Sequence, residues 1–519
     1  MTIATLIPEQ RTAPDTEPEE EGNPPTPWWQ RAALIAVEGG IAVAVALAFV
    51  AWSRRVDTNP LNQIAQVSAL AHLQLQLWVL GAVGIVVALA GARWAGHRFA
   101  RFAEPIACAV TSGAATSIVA GAILVGLNGT PWGVGGRSHD SNNLAHWATA
   151  LSDGHSITSP IYPPAYVYAL SWLSDLTGQP AYYALKDLQI LGTALLGPIT
   201  YLAWRMVFRP LWALGAGTVA VLPVLDGYKP AGAIVVAVSI PLFVAITSAF
   251  RRSVTLRVPA LVGIGAGLGV LLGLLLLTHP VYVLWPAPGV AIAVLLLTPW
   301  RRAWWRALVL LGSGLAALGV VCGPYLYRFL TGVSDTHENY FYFDALQEPA
   351  YFFLWRGSSR PAGDWPIPGE VGGVGVFGLL VAVAIGVALA LAYRRSLVAT
   401  VILCFASVWV FRFSTAARMS GLHEVRLWPR TSVILIYCAL LLIGAAVFAV
   451  SRKLGRTQPP AATLGVVVAA LLIFGMAGSA TASRYLPDGP GKPGSLTWAA
   501  QHTRLLDGSC PRWVGSSCW

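Results

Sequence analysis

Charged residues are scarce in this chain: they make up 11% of its 519 residues, where a soluble domain carries about 25%. Because 56% of the residues are hydrophobic, too little charge is present to cover the surface of a water-soluble protein of this size. The shortage excludes a soluble globular fold and leaves lipid as the solvent. Backbone polar groups find no partner in lipid, so only helices or closed β-barrels cross it.

Short segments of alternating polarity, which form membrane β-barrels, are also absent. The apolar runs are instead near-continuous and about 17 to 23 residues long, which matches helices that cross a hydrocarbon core of about 30 Å. We therefore predict an all-α polytopic membrane protein with about 13 transmembrane helices. The predicted spans are residues 32–52, 75–92, 105–127, 181–204, 211–225, 231–249, 258–278, 281–299, 307–323, 371–392, 396–411, 431–450 and 462–482.

Three groups of functional motifs are missing from the sequence. The chain has no GxxxxGK[ST] loop, which argues against ATP-driven transport by this chain alone. It shows no internal repeat with matching broken helices, the usual sign of a secondary transporter. It also has no zinc finger, RNP-type motif or CxxC pair. We therefore expect no nucleic-acid partner and no CxxC metal site.

The positive charge, a net +11, lies mainly in one set of short connections between the predicted spans. The positive-inside rule places these connections in the cytoplasm. We therefore predict a disordered cytoplasmic N-terminus at residues 1–30, which are rich in Pro and Glu, a transmembrane domain at 31–482 and a short extracytoplasmic tail at 483–519. The basic clusters are Arg93, Arg98 and Arg101; Arg205 and Arg209; Arg251, Arg252 and Arg257; Arg301, Arg302 and Arg306; Arg394 and Arg395; and Arg452, Lys453 and Arg456.

Cysteines are few, with six in the whole chain. Two of them, Cys510 and Cys518, lie in the C-terminal tail. If this tail is extracytoplasmic, we expect a disulfide between them. The other four lie inside apolar spans and are expected to be core residues: Cys108, Cys322, Cys404 and Cys438.

Polar residues are densest in the predicted outer connection 128–180. From Asn142 onward, apolar residues recur at helical spacing and predict a short helix. Asp140 then has two interpretations: it or Ser141 caps the N-terminus of this helix, or it is a general base held at the membrane surface. The neighbouring candidates for substrate binding are His139, Asn142 and Asn143.

Further candidates lie at the predicted outer ends of the spans. Tyr162 begins a Tyr-Pro-Pro element, whose aromatic neighbours form either a membrane-interface belt or a platform for a sugar or prenyl group. Lys186 and Asp187 lie within the predicted span 181–204. Either both pair with neighbouring residues, or Lys186 meets a lipid phosphate. His279 either lines the same cavity or has a structural role.

Basic residues on the predicted outer side run against the topology rule and need a separate reason. They surround the segment His423-Glu-Val-Arg426. They either bind phosphate through bidentate contacts or pair with Glu424 or with anionic lipid headgroups. The residues concerned are Arg412, Arg418, Arg426 and Arg430.

The run Gly135-Gly-Arg-Ser-His-Asp140, the Tyr162-Pro-Pro164 element and the segment Tyr183-Ala-Leu-Lys-Asp187 resemble the GT-C glycosyltransferases. More narrowly, they resemble the membrane domain of the actinobacterial galactan arabinofuranosyltransferases, which prime the arabinan of cell-wall arabinogalactan. The resemblance implies a GT-C fold in the plasma membrane, a polyprenyl-phosphate donor such as decaprenyl-phosphoryl arabinofuranose, and a cell-wall glycan acceptor. Asp140 matches the position of the family's catalytic base.

Two features depart from that family. Many GT-C enzymes carry two adjacent acids in this loop, whereas Asp140 is flanked by His139 and Ser141. We therefore assign no metal ligand, and the use of a divalent metal stays open. The narrower family also usually carries a folded extracytoplasmic C-terminal domain, whereas about 37 residues follow the last predicted span here. The acceptor is accordingly left open.

These residues suit sugar transfer from a lipid phosphate. A carboxylate can deprotonate the acceptor hydroxyl, and basic groups can neutralise the departing phosphate. We therefore predict an inverting glycosyltransferase, with Asp140 as the base and with Arg426, Arg430 and Lys186 at the phosphate. The alternatives are a lipid-linked sugar flippase or transporter and a non-catalytic scaffold for cell-wall assembly.

Overall fold

The computed structural model describes most of the chain as an array of α-helices. No strand occurs among the residues that it describes. The all-α class that the sequence predicts is confirmed at this level. The described residues are 28–155, 157, 162–221, 225–332, 376–422, 430–453, 485–490 and 494–519.

The described residues form fifteen helices. Most of them follow one another through short connections, as expected where neighbouring helices run antiparallel. In chain order they are α1 (Trp28–Ser53), α2 (Gln63–Gly126), α3 (His139–Ser152), α4 (Pro164–Thr177), α5 (Ala181–Arg205), α6 (Pro210–Val221), α7 (Pro230–Arg251), α8 (Val258–Thr278), α9 (Val281–Leu284), α10 (Ala287–Leu297), α11 (Trp300–Gly332), α12 (Val376–Ala392), α13 (Ser396–Leu422), α14 (Thr431–Lys453) and α15 (Ser495–His502).

Several helices are long and apolar enough to cross a membrane. Within the described part of the chain there are seven, and each overlaps a predicted span. These helices indicate a multi-pass membrane protein. The seven are Ala32–Ser53, Glu104–Gly126, Pro230–Arg251, Val258–Thr278, Trp300–Gly332, Ser396–Gly421 and Thr431–Ser451.

The other predicted spans have different outcomes. The apolar segments Val281–Leu297 and Gly378–Ala392 are helical but shorter. Helices α5 and α6 lie at two further predicted spans, and α6 has only 12 residues among those described, about 18 Å of helix. The predicted span 462–482 lies outside the described residues.

The helical segment α2 reverses direction within its length. Along a straight helix, Leu73 and Gly121 would be about 72 Å apart, yet a Cβ on Gly121 would lie 3.4 Å from the side chain of Leu73. The two arms of α2 are therefore antiparallel. The reversal therefore lies between Leu73 and Gly121, and the predicted spans 75–92 and 105–127 both fall within α2.

Helices α8 and α11 approach each other closely because glycines line their contact. Gly265, Gly269 and Gly273 recur every fourth residue of α8 and so share one face. A Cβ at Gly273 would lie 2.9 Å from Val321 of α11, and one at Gly269 would meet the backbone of Gly314. Small residues allow such close approach, which stabilises helix pairs in membranes.

The connections gather at two opposite ends of the helix array, because the long helices other than α2 run from one end to the other, whereas α2 turns back and finishes at the end where it begins. One end, named here the arginine end, holds the basic connections 206–209, 252–257 and 393–395 and the connection 298–299, which is followed by Arg301 and Arg302 in the first turn of α11. The other, named the loop end, holds connections 127–138, 225–229 and 279–280 and the tail from residue 485. The sequence prediction, which rests on the positive-inside rule, places the arginine end in the cytoplasm.

Candidate functional site

Asp140 lies in the first turn of α3, at the loop end. The N-cap residue is Ser138, so the interpretation of Asp140 or Ser141 as the cap is wrong. The carboxylate of Asp140 instead forms an ion pair with the ammonium of Lys229, and the two side chains are 40% and 35% exposed. The positive end of the helix dipole also favours an acid at this place. The acid is therefore paired but still within reach of a substrate.

The loop that leads to Asp140 is held by Gln189, a buried residue of α5. Its side-chain amide accepts a hydrogen bond from the backbone N–H of Val134 over 2.8 Å. The same amide donates to the carbonyls of Val134 and Tyr228 over 3.2 and 3.0 Å. One side chain therefore joins the connection before Asp140 to the connection that carries Lys229.

Gly135 allows these two connections to touch. Its φ of 94° lies in the left-handed region that glycine favours, and a Cβ there would lie 2.7 Å from the ring of Tyr228. Tyr228 is in turn hydrogen-bonded to Ser141, and burial raises the pKa of its phenol. These contacts bring Lys229 beside Asp140.

The C-terminal tail folds onto the same loop. The backbone N–H of Gly135 donates to the carbonyl of Leu496 over 3.1 Å. The indole N–H of Trp132, a fully buried residue, donates to the carbonyl of Thr503 over 3.1 Å. The short tail therefore helps to fix the loop that precedes Asp140.

A disulfide closes the end of this tail. It joins Cys510 and Cys518, the two cysteines that the sequence places in the tail. Inside the disulfide loop, Arg512 pairs with Asp57 over 2.9 Å. Since Asp57 lies between α1 and α2, the tail is connected to the first helices as well as to the Asp140 loop.

A cavity of about 310 Å³ lies beside the ion pair. Its wall is formed by the connection 225–229 and by residues at the starts of α7, α9 and α14. Apolar residues of α7 and α14 complete it. The polar side chains of the wall are Asp226, Tyr228, Lys229, His279, Tyr282 and Arg430.

Two helices begin at this cavity. Lys229 is the N-cap residue of α7, and Arg430 directly precedes α14. The N-terminus of a helix carries a partial positive charge and binds anions readily. Among the lining residues that the structure describes, Asp226 is the acidic one and opposes these positive charges. The wall itself carries two cations against one acid, while the second acid, Asp140, lies outside it in the ion pair with Lys229. If Lys229 leaves that pair, the wall suits an anionic group.

His279 follows α8 and stacks on Tyr282, with ring centroids 4.3 Å apart. Burial, together with Arg430 and Lys229, lowers the pKa of its imidazole to about 3, so the ring is neutral at physiological pH. A neutral imidazole has one N–H donor and one acceptor nitrogen. Within the described residues, its buried Nδ1 atom has no hydrogen-bond partner. A polar atom left in this way at a cavity wall indicates room for a polar ligand.

Two predicted substrate residues make other contacts at this end. The ammonium of Lys186 donates to the carbonyl of Leu127, the C-cap residue of α2, over 2.9 Å and to that of Thr130, in the connection that follows, over 2.6 Å. Asp187 pairs with Arg54 over 2.6 Å. Neither residue lines the cavity. Their contacts hold α1, α2 and α5 together.

The predicted residues on α3 and before α4 lie near Asp140 in sequence but outside the cavity wall. Asn142 is half-buried and Asn143 is exposed. Tyr162 lies against Trp147 of α3, with ring centroids 4.6 Å apart. This contact joins the Tyr-Pro-Pro element to α3.

The four arginines that the sequence predicts on the outer side lie in different environments. Arg412 is buried and donates to the hydroxyls of Thr431 and Ser432, both over 2.8 Å, whereas Arg418 is exposed. Arg430 lies in the cavity wall, as does His279. Other predicted site residues lie outside the described residues, namely His423, Glu424, Arg426 and the side chain of His139.

Sequence reasoning missed Lys229, Asp226 and Gln189. A signal for the first two is present, because the segment from Asp226 to Lys229 is a short polar run between apolar helices. Its lysine also runs against the positive-inside rule. Gln189 gives no such signal, since a single glutamine in a helix does not reveal which loops it joins.

The polar groups of this site that the structure describes are protein side chains and backbone groups. The described residues contain no group of three or more His, Cys, Asp or Glu side chains that would hold a metal ion. Asp140 is paired with a lysine. We assign no metal ligand.

Comparisons with known proteins add no relative. No protein-family model matches the sequence, and no curated protein matches it. A function then has to follow from the chemistry of the site.

Proposed function

We propose that this chain is a membrane glycosyltransferase of the GT-C type. It moves a sugar, with arabinofuranose as the first candidate, from a polyprenyl-phosphate donor to a cell-wall glycan outside the plasma membrane. The observation that carries the proposal is the ion pair between Asp140 and Lys229 beside a cationic cavity. A set of membrane-length helices agrees with a lipid-linked donor.

The reaction needs one base. Asp140 takes the proton of the acceptor hydroxyl while that oxygen attacks the anomeric carbon of the donor. The bond between the anomeric carbon and the phosphate oxygen breaks, and the polyprenyl phosphate leaves with the bonding electrons. The proton then passes from Asp140 to water. A single displacement inverts the anomeric carbon, and a positioned base contributes about 10²–10⁴-fold to the rate.

The reaction also needs an anion site. Negative charge grows on the phosphate oxygens as the bond breaks, so fixed positive charge there stabilises the transition state more than the bound donor. Lys229, Arg430 and the N-termini of α7 and α14 supply this charge. Lys186 is left out of the set because its ammonium already donates to two carbonyls.

A donor panel tests the proposal. The purified full chain in lipid nanodiscs is incubated with labelled polyprenyl-phosphate arabinofuranose, mannose or glucose and a galactan oligosaccharide, with and without a chelator. We expect transfer from at least one donor, and an inverted anomeric configuration in the product by NMR. The chelator decides whether a divalent metal takes part.

Two results would contradict transfer and favour the alternatives. Passage of the labelled lipid across proteoliposome membranes, without transfer from any donor, would support a flippase. Bound polyprenyl phosphate with neither transfer nor passage would support a scaffold.

A further inference from the structure

Lys229 takes part in both the ion pair and the cavity wall. Its ammonium pairs with the carboxylate of Asp140, and the same residue lines the cavity together with Arg430 and His279. Both members of the pair are more than one-third exposed, so water and salt screen their attraction. An ion pair of this kind is weak, and a stronger partner exchanges with it easily.

The cavity beside Lys229 is a suitable binding place for a stronger anionic partner. The positive ends of α7 and α14 add to the charges of Lys229 and Arg430. The missing side chain of Gly232 leaves room, since a Cβ there would lie 3.2 Å from Tyr282. Among the described residues, the buried Nδ1 atom of His279 has no hydrogen-bond partner. A phosphate oxygen is a partner to which this nitrogen donates when it carries the proton.

The volume of the cavity limits which part of a ligand enters. About 310 Å³ lies at the lower end of the range of small-molecule sites, roughly 300–1,000 Å³. This space suits a phosphate with a sugar ring. A polyprenyl chain is too long for it and has to remain among the helices or in the lipid.

We propose that Lys229 exchanges partners, from the carboxylate of Asp140 to a phosphate group that binds in the cavity. The identity of the ligand, a polyprenyl phosphate or its sugar ester, rests on the proposed function. The exchange takes the cation away from Asp140 when the donor is in place. The carboxylate then accepts the proton of the acceptor hydroxyl, so donor binding prepares the base.

If Asp140 and the phosphate compete for the ammonium of Lys229, removing one competitor strengthens binding of the other. A purely structural ion pair has no such effect. Asp140→Asn releases Lys229 and should lower the Kd for decaprenyl phosphate about two- to fivefold, the range expected for a partly exposed pair. Lys229→Gln should raise this Kd about tenfold, because a charged hydrogen bond to the phosphate is lost. In the Lys229→Gln background, Asp140→Asn should then have no further effect.

A double-mutant cycle on binding tests the exchange. Wild type, Asp140→Asn, Lys229→Gln and the double variant are prepared as full chains in zwitterionic nanodiscs and titrated with decaprenyl phosphate by tryptophan fluorescence. Parallel titrations with phosphatidic acid and inorganic phosphate distinguish the sources of the phosphate. Asp153→Asn, an exposed acid where α3 ends, is the matched control and should leave Kd unchanged. Lys229→Arg should retain most of the binding.

Tighter binding by Asp140→Asn that disappears in the double variant supports the exchange. An equal gain in both backgrounds would mean simple charge repulsion and would overturn it, as would no gain at all. A third result is a coupling between the two substitutions that is equally large in the Kd for inorganic phosphate and in the Kd for decaprenyl phosphate. That result supports the exchange for free phosphate and overturns the assignment to a lipid. Because the readout is binding, an intact cycle without sugar transfer overturns only the proposed function.

Discussion

The two ends of the helix array use charge in different ways. At the arginine end, Arg205 pairs with the buried Glu38 over 2.7 Å, and Arg251 and Arg306 donate to backbone carbonyls of neighbouring connections. At the loop end, Lys229 pairs with a partly exposed acid and also lines a cavity. Arginine side chains that donate to backbone carbonyls hold helices together. Lys229, which lies between the carboxylate of Asp140 and a cavity, is able to change its partner.

Basic residues at the two ends of such a chain therefore have different explanations. The clusters at the arginine end follow the positive-inside rule and need no further reason. Lys229 and Arg430 run against that rule, and both lie in the wall of the cavity. Lys186 and Arg412 lie at the same end but bond to carbonyls and hydroxyls, so positive charge there indicates a site only where it also lines a cavity.

The largest expected effect lies at the arginine end. Glu38→Ala leaves Arg205 buried without its carboxylate and removes the acceptor of the Tyr201 hydroxyl. Breaking a buried pair should lower the free energy of unfolding by about 3–5 kcal/mol, measured by thermal unfolding in detergent. Sugar transfer per folded molecule should not change. A variant of normal stability that has lost transfer would erase the contrast between the two ends.

The disulfide tests how the tail supports the loop end. Replacing both Cys510 and Cys518 by Ser removes the cross-link of a short loop, and the chain-entropy relation gives a loss of about 2–3 kcal/mol. We expect the loss in the tail and in the loop 127–138 that it contacts, measured by hydrogen exchange. Reduction of the wild type should reproduce it. Faster exchange in α7 and α8 instead would show that the tail supports the whole array.

The bridging glutamine tests whether the site depends on its loops. Gln189→Leu leaves backbone groups of Val134 and Tyr228 without partners, which should cost about 1–3 kcal/mol of stability. Because the connections that carry Asp140 and Lys229 are then no longer held in place beside the cavity, transfer should fall about tenfold, measured as an initial rate. Thr193→Val is the control, since it removes one hydrogen bond within α5. Equal transfer by both variants would contradict this role.

The smallest effect concerns pH. The pKa of His279 is lowered to about 3 by burial and by Arg430 and Lys229, while an unfolded histidine titrates near 6.5. Between these values the unfolded chain binds a proton that the folded chain does not, so stability is complete above about pH 6.5 and falls below it. The wild type should lose about 1 kcal/mol between roughly pH 6.5 and 5.5.

His279→Gln lacks this group and should show a smaller loss over the same interval. Unfolding midpoints of the two proteins at both pH values measure the difference. Identical losses would show that the folded histidine binds its proton as readily as the unfolded one.

The helical membrane class was predictable because apolar runs of helix length have few other solutions in lipid. The short helix near Asp140 was also predictable from its periodicity, and it begins at His139, three residues before the predicted start at Asn142. Its cap was not, because Ser138, Asp140 and Ser141 are all suitable capping residues. Local pattern therefore placed the element but not its first residue.

Partners from distant parts of the chain were not predictable. Lys186 has the sequence pattern of a charge within a span, yet its partners are carbonyls at the end of α2 and in the connection that follows. Lys229 meets Asp140 because Gln189 and the contact of Gly135 with Tyr228 join their two connections. Such contacts depend on how helices pack against each other, which hydrophobic periodicity does not record.

Single-turnover sugar transfer with the donor already bound measures the role of the Asp140 carboxylate most directly. Asp140→Asn is compared with Asp153→Asn at the other end of α3, after both variants are shown to be folded and to bind the donor. We predict a rate about 10²–10⁴-fold below wild type for Asp140→Asn and an unchanged rate for Asp153→Asn. Equal rates in the two variants would contradict Asp140 as the base.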